Sequence, residues 1–172
     1  MRAWRRRPAR NAQAVAAWIT REFAGRGLAP PHCTPEALAR ALERERQITI
    51  MIQPYASEDR GVYGLLYRHR THTHLYVILF RPTPSMALRR LIVFHELAHL
   101  LFEHPLTEVA GVGLLRGFMV SDADDAVAEA FAVGAMQYSF LDAETATLPV
   151  DTVDEVSASA FGQLLKRTQY RV

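Results

Sequence analysis

Residues 86–104 read MALRRLIVFHELAHLLFEH, and His95-Glu96-Leu97-Ala98-His99 at the centre decides how the rest of the chain is read. Histidines four apart on a helix are separated by about one turn, roughly 6 Å of rise, so both imidazoles leave the same face. Two neutral imidazoles so placed can hold one divalent cation, and zinc suits nitrogen ligands in a tetrahedral site. Glu96 directly follows the first histidine, where a carboxylate can take a proton from an attacking water. The surroundings predict a helix. Ser85 can cap its first turn, and Leu88, Leu91, Ile92, His95, His99 and Phe102 recur at three- and four-residue steps. Pro105 is expected to stop it just after His104. A buried amphipathic helix with incidental core histidines is the plainer reading. The glutamate between two correctly spaced histidines disfavours it.

The 172 residues fit one domain, expected over residues 11–172 after a basic, solvated tail at 1–10. Hydrophobic content of 49% and charged content of 22% are ordinary for a globular chain. A net charge of only +2 gives no general case for direct nucleic-acid binding. Cys33 is the single cysteine, so an internal disulfide is excluded and a cytoplasmic address is expected. No apolar run reaches the ~20 residues of a membrane span, so no membrane partner is expected.

Upstream, Val15, Trp18, Ile19 and Phe23 mark one face of a first helix that ends near Gly25-Arg26-Gly27. Thr34-Pro35 opens a second helix as cap and first helical residue, with Leu38, Ala41 and Leu42 on its apolar face. The Pro30-Pro31 linker is a poor match to a helix-turn-helix turn. Three strand-like runs follow at Ile48–Gln53, Gly61–Tyr67 and Leu75–Phe80, the last two joined as a hairpin. His69, His72 and His74 in that hairpin read as exposed polar residues rather than a second metal site. The expected fold is α+β. A small, three-stranded, largely antiparallel sheet packs on a pair of site-bearing helices, with further helices at both ends.

A third ligand is needed if one coordination position is to stay open. His104 is the nearest candidate, but it suits the C-terminal dipole of the motif helix better. A later helix is predicted from a Ser121 cap to about Phe140, with Ala126, Ala130, Val133, Gly134 and Gln137 near one stripe. Glu129 stands there among alanines and apolar residues, where a metal would compensate the cost of burying its charge. Glu129 is the preferred third ligand and Asp125, one turn earlier, the substitute. Oxyanion donors remain open among His74, His104 and Tyr138. Thr152 and Glu155 mark the start of a last helix.

The run from Leu75 through Met136 resembles the ImmA/IrrE family of bacterial metallopeptidases. The resemblance is carried by HELAHLL at residues 95–101 and by AEAFAVGAM at 128–136, and it extends more weakly over residues 34–140. It implies a gluzincin-like fold, a Zn²⁺ cofactor held by His95, His99 and Glu129, and Glu96 as the catalytic base. The family often has Asn or Asp after the Glu-Ala pair, with Phe-Ala beyond it. Here Phe131-Ala132 come early, so the register between Glu129 and Asp125 stays open. The resemblance further implies cleavage of one protein partner, such as a helix-turn-helix repressor. The setting would be stress response, mobile-element induction or toxin–antitoxin regulation. The competing class is a non-catalytic partner-binding module that keeps the metal for structure.

Overall fold

The computed structural model describes residue 4 and residues 12–55, 63–69, 71–83, 85–105, 107–108, 114–116 and 122–140. The predicted Ser121 cap and the helix expected from Thr152 lie outside these residues. The fold is α+β. Its elements run α1 (Ala12–Ala24), α2 (Pro35–Arg46), β1 (Thr49–Pro54), β2 (Gly64–His69), β3 (Leu75–Phe80), α3 (Met86–Leu101), β4 (Thr107–Glu108), β5 (Leu114–Arg116) and α4 (Asp122–Phe140).

The helix starts follow local chemistry. Thr34 caps α2 by accepting from the Ala37 amide at 3.1 Å, with Pro35 at the first helical position. Ser85 caps α3 by accepting from the Leu88 amide at 3.2 Å. The end of α3 differs from expectation. It stops at Leu101, ahead of Pro105, because Glu103 adopts a left-handed conformation (φ 56°). The Glu103 amide then donates to the Leu100 carbonyl at 3.2 Å and the His104 amide to the His99 carbonyl at 3.0 Å. This paired closure is a Schellman turn. Arg46 satisfies the last carbonyls from outside, donating to Leu100 O at 2.7 Å and Leu101 O at 2.8 Å.

The sheet order is β1-β3-β2-β5-β4. β2 and β3 form the expected antiparallel hairpin, with Leu66 opposite Ile78. β1, however, lies parallel to β3, with Thr49 opposite Leu75 and Pro54 opposite Phe80. Two chain reversals separate β1 from β3, so they run the same way, and the apolar β3 lies between β1 and β2. The remaining pairings among the described residues are antiparallel, and the short β5 and β4 extend the sheet past β2.

α3 is the central element, packed against α4, α2, β2 and β3, while α1 closes the far side of α4. From Ile92 to Leu101 it is buried almost all round, as a helix squeezed between layers must be. The core is aromatic. Phe131 of α4 meets Trp18, Phe23, Phe94 and Phe102 edge-on at centroid distances of 5.6–6.5 Å. Trp4 departs from the expected solvated tail. It stacks on Trp18 at 5.7 Å, and the Arg26 guanidinium lies 3.8 Å over its ring. Cys33 is buried in this core, and that burial pushes its thiol pKa up to about 12 despite the opposing charge of Arg90.

Candidate metal centre

The predicted stripe on α4 is not the buried one. Ala126 is exposed, and Ala130, Val133, Gly134 and Gln137 are half-buried. The face turned inward carries Ala128, Ala132 and Ala135, all fully buried. Alanines at these steps let α4 approach α3 closely, and one step toward the N-terminus on the same stripe stands Asp125. Its carboxylate therefore enters the seam beside the two histidines of α3.

Three atoms converge there. His95 Nε2 and His99 Nε2 are 2.9 Å apart. Asp125 Oδ1 lies 3.3 Å from the first and 3.7 Å from the second. Among the described residues, this is the group of histidine, cysteine and acidic side chains whose donor atoms gather closely enough to hold a metal ion. Ligands bonded at about 2.0–2.1 Å in a tetrahedron stand about 3.3 Å from one another, so the observed triangle straddles the required size. Two imidazole nitrogens and one carboxylate oxygen are also a donor set that suits zinc.

Glu129 sits one turn further along α4, half-buried, outside this group of three. It remains close enough for its charge to act on His95. Burial pulls the His95 pKa down, but the hydrogen bond that His95 donates to Asp125 and the charges of Glu96, Asp125 and Glu129 outweigh it, and the pKa rises. His99 goes the other way. Burial, reinforced by the neighbouring His95 and His104, holds its pKa well below the usual value against the pull of Asp125 and Asp124. The seam thus brings together three carboxylates and two imidazoles whose inward nitrogens face each other, a setting that favours a cation.

Glu96 is buried on α3 and turned toward the sheet. A Cβ built on Gly64 of β2 would stand 2.5 Å from Glu96 Oε1 and 2.7 Å from Ile92 Cγ2. Glycine at this position makes room for the carboxylate, a requirement that strand patterning alone does not reveal.

The other sequence candidates are elsewhere. His69 and His72 pack together in the exposed β2–β3 turn, where His69 Nδ1 accepts from the His72 amide at 3.1 Å, and His74 is exposed beside them. Tyr138 is buried against Phe23. It lies thirteen residues beyond Asp125, about 20 Å along the helix. His104 lies behind His99, its Nδ1 2.8 Å from His99 Nδ1, and not on the open side of the triangle.

The chain matches no protein-family model, no curated protein and no solved structure. Among the described residues, no helix is long and apolar enough to cross a membrane.

Proposed function

We propose that this protein is a zinc-dependent metallo-endopeptidase that cleaves a specific protein partner in the cytoplasm. The observation that carries the reading is the convergence of His95 Nε2, His99 Nε2 and Asp125 Oδ1, with the Glu96 carboxylate on the adjoining face of the same helix. Asp125 takes the third-ligand role in place of Glu129, because its oxygen completes the triangle. Glu129 then contributes negative charge behind His95.

His95, His99 and Asp125 would hold the zinc ion, which would supply Lewis acidity toward a peptide carbonyl and a water molecule. Glu96 takes the proton from the attacking water and delivers it to the departing amine. Burial and the close wall of Gly64 restrict the rotamers of Glu96, so its carboxylate is oriented before substrate arrives. The substrate proposed from the family resemblance is a helix-turn-helix repressor. Its cleavage would relieve repression in stress response, toxin–antitoxin regulation or mobile-element induction.

The test is metal content by mass spectrometry on wild type, Asp125→Ala, Glu129→Ala and Glu96→Gln, followed by incubation of each with a repressor encoded nearby. Near-stoichiometric zinc in wild type and Glu96→Gln, its loss in Asp125→Ala, and repressor cleavage by wild type alone of those two zinc-loaded forms are expected. Absence of zinc from reconstituted wild type overturns the peptidase reading and moves the assignment to a partner-binding module. Loss in Glu129→Ala with retention in Asp125→Ala returns the third ligand to Glu129.

A further inference from the structure

We infer that His104 and Asp124 are positioning residues that set which nitrogen of His99 is free to bind the metal. The inference rests on the metal-site reading above and extends it to residues behind the ligands. His104 is brought back against His99 by the Schellman turn, and the two are joined twice. Their backbones meet through His104 N–H to His99 O at 3.0 Å, and their rings through the Nδ1 atoms at 2.8 Å. The ring of His104 is 2% exposed, so this contact is made away from water. On the far side, His104 Nε2 faces Asp124 Oδ1 at 3.7 Å.

The proton arrangement follows in sequence. Two Nδ1 atoms at 2.8 Å share one proton, with one ring donating and the other accepting. The Asp124 carboxylate favours a proton on the His104 nitrogen nearest to it, Nε2. A neutral His104 with its proton there offers a lone pair at Nδ1. His99 then carries its own proton on Nδ1 and donates it to His104. That leaves the His99 Nε2 lone pair pointing into the seam, where His95 Nε2 and Asp125 Oδ1 converge. Adjacent aspartates on α4 thus act on the same histidine from two sides. Asp125 stands among the ligands, and Asp124 fixes the ring through an intermediary. Among the described residues His95 has no such brace, since none of them hydrogen-bonds its buried Nδ1. Partners of this kind behind a histidine ligand are commonly worth 10–100-fold in metal affinity.

Two readouts on the full chain test this. The first is the ring tautomers in the metal-free protein, read from long-range ¹⁵N–¹H correlations. His99 protonated at Nδ1 and His104 at Nε2 support the inference, and the reverse pair overturns it. The second is zinc affinity by chelator competition in wild type, Asp124→Asn, His104→Leu and His104→Gln. About 10–100-fold weakening is expected in Asp124→Asn and His104→Leu. Partial rescue is expected in His104→Gln, whose amide oxygen can accept from His99 Nδ1. Wild-type affinity in both Asp124→Asn and His104→Leu overturns the brace and leaves the metal site standing. Wild type that takes no zinc at all overturns the metal reading itself, and the inference with it.

Discussion

At the corner between α1 and α2, Glu22, Arg26 and Glu45 bring opposite charges together. Arg26 reaches Glu22 Oε2 at 2.9 Å, the Glu22 carbonyl at 3.0 Å and Glu45 Oε1 at 2.9 Å. At the seam between α3 and α4, His99 is buried, His95 and Asp125 are half-buried, and the three are also close, but the pairing is of another kind. There nitrogen faces nitrogen at 2.9 Å. With Arg21 Nε 3.6 Å from Glu22 Oε1, the first cluster sets two cations against two carboxylates. The second gathers lone pairs and negative charge around a small space, and a cation would complete it. Buried polar groups cost stability unless they are satisfied, and two imidazole nitrogens turned on one another beside a carboxylate form a donor set that could take a cation.

Stability measurements with and without zinc can break that comparison. Arg26→Ala leaves Glu22, only 4% exposed, without its principal buried cation, and about 3–5 kcal/mol of loss is expected in denaturant unfolding. The increment gained on adding zinc should be unchanged in that variant. Asp125→Ala should behave in the opposite way. Its zinc-free stability falls by only about 1 kcal/mol, for the lost hydrogen bond with His95, while it forfeits the increment, which for a free ligand at 100 times its Kd is about 2.7 kcal/mol. If Asp125→Ala in zinc-free buffer costs as much as Arg26→Ala, the seam is a structural ion pair and the contrast fails.

The two clusters were not equally legible. Thr34-Pro35 and Ser85 announce their helices because capping is decided within four residues, and both caps form as read. The convergence of His95 and His99 is legible for the same reason, since their spacing alone puts both imidazoles on one face. Asp125 is harder. α4 is apolar or small on most sides, so its periodicity does not single out the face that meets α3, and only the neighbouring helix decides it. An acid in a first helical turn also has an ordinary explanation as a partner of the helix dipole, which hides its other use. The parallel pairing of β1 with β3 depends on contacts distant in sequence. His104 is hidden by Glu103, because a reader looks for glycine at a left-handed helix end.

Gly64 sharpens the comparison from the sheet side. In Gly64→Ala the new Cβ collides with Glu96 Oε1 and Ile92 Cγ2, and overpacking of this kind costs about 1–3 kcal/mol. In a Glu96→Ala background the same substitution should cost less, because one of the two obstructions is gone. The double-mutant cycle in denaturant unfolding measures this. Additive effects would mean that Ile92 alone supplies the clash and that Gly64 does not shape the setting of Glu96.

The smallest effect concerns the turn that carries His104. Glu103 holds a left-handed backbone that costs a side chain about 1 kcal/mol or more, and glycine adopts it freely. Its carboxylate meets Arg46 at 3.4 Å but is 79% exposed, so the ion pair contributes little. Glu103→Gly should therefore stabilise the protein by about 0.5–1 kcal/mol, read as a rise in Tm of about 1–4 °C. Zinc affinity should stay at the wild-type value, because the hydrogen bonds of the turn come from the backbone and keep His104 on His99. A fall in Tm would show that the Arg46 contact, rather than backbone geometry, holds the reversal. Loss of zinc affinity with a raised Tm would show that the position of His104 depends on the Glu103 side chain, and that the brace behind the metal is built from both ends of the turn.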